Sequence, residues 1–277
     1  RAVHNFAKYV SHFIQGYMVG IPLKTTYPDE EVDEQLRELN RLNDADEHNS
    51  DQILNLSIYG RAYELLYRNS NDETRFTELD VKETFVVYDD TVEMEPIAAV
   101  RYFTNTFKDD EITVYVYTDS RIYKYTTESI QPEDMQLESE EPHFFDGVPI
   151  IEYRNNKFRQ GDFEDVLSLI DLYDEAQSDT SNYMTDFNDA MLKIAGNLDI
   201  DVEEAKKMKE ANLLLLQTEP SMEGRQPQAD ADYIYKQYDV QGTEAYKTRV
   251  ENDVHKFTNT PNLNDEHFSG VQSGEAM

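Results

Sequence analysis

The sequence DFEDVLSLIDLYDEAQSDTSNYMTDFNDAMLKIA, residues 162–195, is the longest regular stretch of the chain. Apolar residues recur along it at helical spacing, and neither proline nor glycine interrupts it. A helix of this length would extend roughly 50 Å. Its polar face carries nine acids and one base, and residues 177–182 contain no large apolar side chain. The pattern alone allows an ordinary amphipathic core helix, but the length and the polar centre favour a rod that packs at both ends and is solvated or shared between subunits between them.

The residues before this stretch predict helices followed by an antiparallel sheet. Helical spacing covers residues 1–17, 29–42 and 52–68, although Gly60 weakens the last of these, and residues 43–51 form a polar loop or bend. A period of two predicts strands at residues 83–88, 97–103, 111–117, 121–126 and 148–153, with an acidic loop at 131–142. Val114 and Val116 alternate with Tyr115 and Tyr117, which is typical of a strand covered on both faces. The alternative, which we favour, is a packed antiparallel meander with helices on one face.

The residues after the stretch predict a small α/β insert between two helices. A short helix is predicted over residues 201–210, strands at 212–217 and 232–237, and a returning helix at 243–257 with Thr243 as its N-cap. Pro261 stops that helix, residues 262–273 have loop composition, and residues 273–277 look like the start of one more helix. The sequence therefore predicts an α+β protein that presents an insert on two helices. Because it opens inside a helical pattern and stops just after Ser273-Gly274, we also expect it to be part of a longer protein.

Composition restricts the function classes. The chain has 277 residues, 57 acids and 25 bases, for a net charge of −32. Such a chain is unsuited to tight nucleic-acid binding, which needs lysine and arginine to displace counterions, but an acidic wall could let DNA slide past. The absence of cysteine excludes disulfides and thiolate chemistry and suits a reducing compartment. No apolar run reaches transmembrane length, and the N-terminus is not a signal peptide.

Motifs for catalysis are absent from the sequence. There is no phosphate-binding glycine loop, dinucleotide fingerprint, nucleophile elbow or zinc-protease helix. His4 and His12 are eight residues apart on a predicted helix, where packing or solvation explains them better than metal binding. Acid clusters such as Asp44 with Asp46 lack the spacing and glycine of a calcium loop. We therefore predict a protein without enzymatic activity, metal or other cofactor.

Three stretches, taken in order, resemble bacteriophage portal proteins of the siphophage type, in the Bacillus phage SPP1-like group. They are Gly-Tyr-Met-Val-Gly-Ile-Pro at residues 16–22, then the run of Ile-Ile-Glu-Tyr, Asn-Asn, Gln-Gly-Asp-Phe, Leu-Ile-Asp and Gln-Ser-Asp within residues 150–179, and finally Asn-Thr-Pro-Asn, Phe-Ser-Gly and Ser-Gly-Glu-Ala within residues 259–276. The resemblance runs over nearly the whole chain. The resemblance rests on the order and the extent of the three stretches together.

The resemblance implies a portal fold with an α/β wing, a long-helix stem and a small α/β clip. The implied parts are the wing at residues 1–160, the first stem helix at 161–196, the clip at 197–240, the second stem helix at 241–258, and a tunnel loop with the start of the next wing helix at 259–277. The crown of the family would lie outside this chain.

The resemblance also implies particular site residues. The DNA-tunnel loop comprises Asn262, Leu263, Asn264, Asp265, Glu266, His267 and Phe268. The partner-docking clip comprises Leu213, Leu215, Tyr233 and Tyr235.

The implied function is a ring of about twelve subunits at one capsid vertex, through which double-stranded DNA is packaged and ejected. The implied partners are other copies of the chain, the terminase motor, the head-tail adaptor, the scaffold and the major capsid protein, with no membrane. The implied location is the virion, after assembly in the host cytoplasm. Two alternatives stay open: another head-tail connector or adaptor ring component, and an acidic-site metal-dependent hydrolase that would use Asp44 and Asp46.

Overall fold

The chain folds as an α+β protein, as predicted. The computed structural model describes residues 2–104, 111–129, 131, 134–186, 191–195, 201–210, 230–234 and 239–263. Its helices are α1 (Phe6–Val19), α2 (Glu30–Leu42), α3 (Ala45–Tyr59), α4 (Leu167–Asp186), α5 (Val202–Glu210) and α6 (Val240–Phe257). Its strands are β1 (Arg61–Arg68), β2 (Thr74–Leu79), β3 (Thr84–Tyr88), β4 (Pro96–Thr104), β5 (Ile112–Tyr117), β6 (Arg121–Thr127), β7 (Gln136–Pro142), β8 (Ile150–Arg154), β9 (Met191–Ala195) and β10 (Asp230–Ile234).

All strand pairs in the three sheets are antiparallel. A five-stranded meander has the order β3-β4-β5-β6-β7, a three-stranded sheet the order β2-β1-β8, and β9 pairs with β10. The chain divides into two compact units, one with residues 5–170 and 252–277, the other with residues 1–4 and 171–251. None of the helices in the described ranges is long and apolar enough to cross a membrane.

Two apolar clusters hold the larger unit together. The first lies between the two larger sheets, where Tyr63, Leu79, Ala99, Tyr117 and Ile150 are at most 5% exposed. The second is helical and joins Val166, Ile170 and Val254 to partly buried residues that include Phe6 and Phe163. Each fully buried large side chain contributes about 1.5–3 kcal/mol to folding relative to an exposed one.

The helix predicted over residues 52–68 is wrong in its second half. Of the loop or bend predicted at residues 43–51, the structure has a bend at residues 43–44 between α2 and α3, and the rest is helix. Helix α3 begins at Ala45 and ends at Tyr59, and strand β1 follows directly. Gly60 is not inside a helix but caps its end, at φ 72°. A Cβ there would lie 2.1 Å from the carbonyl oxygen of Arg159, so both the left-handed conformation and the close approach require glycine.

A second glycine packs against the same helix end. A Cβ on Gly161 would lie 2.6 Å from the carbonyl oxygen of Ile58 and 2.7 Å from that of Ser57. The backbone N–H of Asp162 donates to the Ser57 carbonyl over 2.8 Å. In addition, the N–H of Asn155 donates to the Gly60 carbonyl over 3.0 Å. Main chain therefore packs directly on main chain where residues 155–162 meet α3, shortly before α4.

The acidic loop predicted at residues 131–142 is also wrong, because β7 occupies Gln136–Pro142 at the edge of the five-stranded sheet. Its sequence, QLESEEP, has low strand propensity. The neighbouring strand supplies cations: Lys124 Nζ lies 2.8 Å from Glu138 Oε2, and Arg121 pairs with Glu140. Cross-strand charge pairing and the ladder with β6 thus override local propensity.

The helix predicted over residues 162–195 is shorter in the structure. A 3-10 turn at Glu164–Val166 leads into α4, which ends at Asp186, and Met191–Ala195 is strand β9. Its ladder partner is β10, with Tyr233 opposite Leu192 and Ile234 opposite Met191. The apolar residues of β9 fit a helical period by chance, and pairing with a segment about forty positions later decides their conformation.

Two helices predicted after residue 200 are confirmed and one strand is confirmed in part, whereas most of the loop predicted at residues 262–273 and the helix predicted to start at 273–277 lie outside the described residues. Helix α5 matches the predicted short helix, and β10 overlaps the predicted strand at residues 232–237. The other predicted strand, residues 212–217, lies outside the described residues. Helix α6 begins at Val240, so Thr243 is not its N-cap; instead the Asp239 carboxylate accepts the Gly242 N–H over 2.9 Å.

Candidate DNA-facing and partner-docking surfaces

The end of helix α6 fixes the direction in which the chain enters the predicted tunnel loop. Asn259 adopts the left-handed conformation at φ 54°, and the Thr260 N–H donates to the His255 carbonyl over 3.0 Å. This six-to-one bond is the signature of a Schellman cap. The hydroxyl groups of Thr258 and Thr260 lie 2.8 Å apart, and Thr260 Oγ1 lies 3.2 Å from His255 Nδ1. Pro261 then prevents the helix from continuing.

A tyrosine of α1 holds this cap in place. The Tyr9 hydroxyl donates to the Pro261 carbonyl over 2.7 Å, and its ring meets the His255 ring edge-on at 5.2 Å. Burial raises the pKa of Tyr9, an effect that a hydrogen bond from the Leu263 backbone partly offsets. Asn262 is half-buried and Leu263 is 53% exposed. The chain therefore leaves a rigid cap and reaches solvent within two residues.

The structure describes Asn262 and Leu263 of the predicted tunnel loop. The other five residues, Asn264, Asp265, Glu266, His267 and Phe268, lie outside the described residues. Sequence reasoning missed the supporting network of Tyr9, His255, Thr258 and Thr260. The Asn-Thr-Pro sequence after a helix was the available signal for the cap, but no local pattern identifies the partner on α1.

The predicted clip residues are described only in part. Tyr233 lies in β10, opposite Leu192 of β9, whereas Leu213, Leu215 and Tyr235 lie outside the described residues. Within the described part of the chain, β9 and β10 form a two-stranded sheet, so each strand has an outer edge without a ladder partner. Such edges can pair with strands of another chain.

The polar centre of α4 has partners within the same unit. The Gln177 side-chain oxygen accepts from Lys247 Nζ of α6 over 3.0 Å, and Lys247 is 6% exposed. Ser178 Oγ accepts the Ala2 N–H over 2.9 Å and donates to the Asp174 carbonyl over 2.7 Å. The lack of large apolar residues in this stretch therefore has an intramolecular explanation in addition to solvation or subunit sharing.

A buried carboxylate on α4 anchors the N-terminal residues. Asp174 is 3% exposed, and its Oδ1 accepts the His4 N–H over 2.8 Å, with His4 Nδ1 at 3.5 Å. The His4 ring also meets the Tyr173 ring edge-on at 5.0 Å. Burial, followed by repulsion from Glu251, raises the pKa of Tyr173. His4 thus has a structural partner, whereas His12 is exposed on α1.

The acids proposed for hydrolase chemistry line an open groove. Asp44 and Asp46 border a cavity of about 1000 Å³ together with His48 and Glu64, whose side chains are 2.6 Å apart. Arg37 and Arg41 also line it. Among the described residues, no group of three histidine, aspartate or glutamate side chains is arranged to hold a metal ion. The groove therefore offers charge pairs but no metal site in the part of the chain that is described.

Comparisons with known proteins agree with the sequence resemblance. All 277 residues match a family model described as Phage portal protein, SPP1 Gp6-like. One relative is the Portal protein of Bacillus phage SPP1, which is 26% identical over 184 residues, covering 62% of this chain and 36% of the relative. The aligned part of the chain thus spans about a third of that relative's length. Proteins of this family are structural components of the capsid and not enzymes. The chain belongs to the SPP1 Gp6-like phage portal protein family.

Proposed function

We propose that the chain is part of a portal subunit, a ring-forming protein at one capsid vertex through which double-stranded DNA is packaged and ejected. The observation that carries this proposal is the family match over all 277 residues. The combination of helices with antiparallel sheets supports it. The strand pair β9–β10, whose strands lie between α4 and α6 in sequence, also supports it. The proposed partners are about a dozen copies of the subunit, the terminase motor, the head-tail adaptor, the scaffold and the major capsid protein.

The proposed domain assignment follows the chain. Residues 1–160 form the wing, α4 and α6 the two stem helices, and residues 191–234 the clip with β9, α5 and β10. The first stem helix is shorter than the sequence indicated, because it ends at Asp186 and the clip begins with β9. Residues 259–277 contain the tunnel loop and the start of the next wing helix.

Subunit docking at the clip is proposed to use strand edges. The outer edges of β9 and β10 have no ladder partner in the described part of the chain, and main-chain pairing between subunits would join the clips into one ring. This ring would present the surface that docks the packaging motor and the head-tail adaptor. Leu213, Leu215, Tyr233 and Tyr235 are the proposed docking residues.

DNA passage is proposed to combine an acidic wall with the tunnel loop. The net charge of −32 disfavours sticking to phosphate, so DNA could move without being trapped. The Schellman cap at Asn259 and the Tyr9–Pro261 hydrogen bond hold the base of the loop formed by Asn262, Leu263, Asn264, Asp265, Glu266, His267 and Phe268. The motor would hydrolyse ATP, in keeping with a sequence that lacks nucleotide-binding motifs.

Electron microscopy and native mass spectrometry of the full-length subunit test the ring. A closed ring of about a dozen copies is expected. A protein that stays monomeric at every concentration and ionic strength would contradict the proposal. A ring that joins the tail but does not support motor-driven packaging would instead indicate an adaptor role.

A packaging assay tests the tunnel loop. Replacing residues 264–268 by Gly-Ser residues of equal number should leave ring formation intact and reduce the DNA packaged. The matched control replaces the exposed turn at residues 70–72, between β1 and β2, in the same way. Unchanged packaging in the loop variant would remove the DNA-facing role from this loop.

A further inference from the structure

The outer face of the five-stranded sheet is mostly apolar on strands β3 to β6, whereas β7 places Glu140 there opposite Tyr123. Its inner face packs on the three-stranded sheet through Val86, Ala99 and Tyr117. The register places mostly apolar and aromatic side chains on the opposite face along four neighbouring strands; the polar exceptions are Thr104, Thr127 and Arg121. The apolar and aromatic side chains are Phe85, Val87, Ala98, Val100, Tyr102, Ile112, Val114, Val116, Tyr123 and Tyr125.

Several of these side chains are accessible to solvent. Phe85 is 43% exposed, Tyr102 42% and Val87 38%. A solvated face of an antiparallel sheet carries mainly polar residues in alternation with the core residues, whereas this face is mainly apolar away from its ends. A contiguous exposed apolar surface of this kind marks a site of interaction. The sequence pattern, apolar on both faces of β5, is therefore that of a sheet covered on both sides.

The hairpin loop beside this face adds apolar side chains and acids. Val92 is 102% exposed and Met94 50% exposed, between β3 and β4. Asp90, Glu93 and Glu95 are also exposed in the same loop. The surface thus has an apolar centre and an acidic rim, and it suits a partner that carries apolar side chains with positive charge.

The N-terminal part of the chain has this complementary chemistry. Residues 1–28 contain no acid and three bases, although the chain has 57 acids in total. Residues 17–27 are mostly exposed and include five large apolar side chains at 54–82% exposure: Tyr17, Met18, Ile21, Leu23 and Tyr27. Lys24 lies among them.

Hydrogen bonds to α2 support this apolar segment, residues 17–27. The Tyr27 N–H donates to the Asp33 carboxylate over 2.8 Å, and Asp33 also pairs with Arg37 at 2.6 Å. The Asn40 side chain reaches Thr25 Oγ1 over 3.4 Å. The segment is therefore held on a helix while its large side chains face solvent.

We propose that the apolar segment of one subunit covers the outer face of the five-stranded sheet in a second copy of the chain. Both surfaces are exposed in one chain, so neither covers the other internally. Two sheet faces would bring acidic rims together, whereas the acid-free segment meets the rim with Lys24. A contact between two different surfaces of identical copies is heterologous, and it forms a ring when the rotation between neighbouring copies closes. The inference rests on the proposed ring and assigns one of its subunit contacts.

Cysteine crosslinking tests the contact directly, because the chain contains no native cysteine. The full chain carrying Ile21→Cys and Val87→Cys is treated with a short bismaleimide. The expected result is a ladder of covalent multimers beyond the dimer, since each copy has one reactive group on each surface. Either single variant gives dimers at most. The matched control pairs Ile21→Cys with Asn71→Cys, which lies in the exposed β1–β2 turn, and should give no ladder.

Exchanging the charges of Lys24 and Glu93 tests the electrostatic contribution to this contact. Lys24→Glu should lower the ladder yield of the double-cysteine variant about two- to fivefold at low salt, as expected for a partly exposed ion pair. Adding Glu93→Lys should restore it. Closed rings without a ladder from the Ile21→Cys and Val87→Cys pair would overturn the inference and leave the portal proposal standing. Failure of the unmodified chain to form rings would instead count against the portal proposal.

Discussion

The inter-sheet core of the larger unit is apolar, whereas the buried surfaces of α4 and α6 in the smaller unit combine an apolar residue, Val250, with charged ones. In the first, Tyr63 is 1% exposed, Ala99 0% and Ile150 2%. In the second, an aspartate and a lysine are nearly as buried, with Asp174 3% and Lys247 6% exposed. Apolar burial stabilises the first region through the area removed from water, whereas desolvation of the charged groups offsets much of what their pairing contributes in the second.

The two regions differ in what they determine. The apolar core mainly determines the stability of the fold, and the buried polar groups mainly determine which arrangement forms. An apolar core tolerates any arrangement that fills its volume, although the best-packed arrangement is the most stable. A buried polar group accepts only an arrangement that supplies its hydrogen-bonding partner. We therefore expect mutations in the sheet core to change the free energy of unfolding most, and mutations in the helical unit to affect mainly the position of the N-terminal residues and of α6.

The largest decrease in the free energy of unfolding is expected for Tyr63→Ala. Removing this buried ring leaves a cavity between the sheets and should lower the free energy of unfolding by about 3–5 kcal/mol, measured by chemical denaturation. Tyr67→Ala is the matched control, because Tyr67 lies in the same strand and is 37% exposed. Equal losses for the two variants would contradict the assignment of the core.

A smaller decrease in the free energy of unfolding is expected for Asp174→Ala. The variant leaves the His4 N–H without its acceptor, so the free energy of unfolding should fall by about 1–3 kcal/mol. Amide exchange at His4 should accelerate, since the hydrogen bond that protects it is gone. Glu175→Ala, at the exposed neighbouring position, should change neither quantity. Unaltered exchange at His4 in the Asp174 variant would show that the carboxylate does not anchor the N-terminal residues.

Lys247→Met should change the free energy of unfolding by no more than about 1 kcal/mol. The methionine keeps most of the buried length while it removes a charge that must be desolvated, and exchanges of this kind are often neutral or stabilising. Lys247→Ala should be more destabilising than Lys247→Met because it also creates a void. A large loss with methionine would mean that the charge, together with Gln177 and Glu244, is itself a source of stability.

The smallest change in stability is expected for Glu78→Gln, and this change should depend on pH. Burial and repulsion from Asp51 raise the pKa of Glu78, so the folded protein holds that proton more tightly than the unfolded chain. The ionised form is therefore destabilising at neutral pH, and glutamine should raise the midpoint of thermal unfolding there. The gain should disappear as the pH falls below about 4.3, the ordinary glutamate pKa. A gain that persists at lower pH would indicate another cause.

Sequence reasoning located elements whose periodicity and local packing agree. Helices α1, α2 and α6, the strands of the β3–β6 meander and β8 match their predicted positions within a few residues. For most of them the pattern is maintained because one face of the element packs on the core. The α+β class followed from the change of period along the chain.

The errors occur where a distant partner determines the conformation. The run after Gly60 has apolar residues compatible with a helix, but pairing with β2 and β8 makes it a strand. Likewise β7 depends on cations of β6, and β9 on β10. For the candidate surfaces, the sequence predicted Asn262 and Leu263 as part of the tunnel loop, but it could not indicate that Tyr9 lies against the chain there, because no local pattern connects positions so far apart in sequence.

The contact of Gly60 and Gly161 with neighbouring main chain has a mechanical consequence. Side chains in contact can change rotamer and absorb a displacement, whereas two peptide backbones at contact distance have no such freedom. A load applied to the start of α4 would therefore pass through residues 155–162 into the end of α3 with little elastic loss. A Cβ at either glycine would push the two backbones apart and soften this joint. Gly60 at the end of α3 and Gly161 in the segment thus make this joint stiff because neither has a side chain that would separate the backbones.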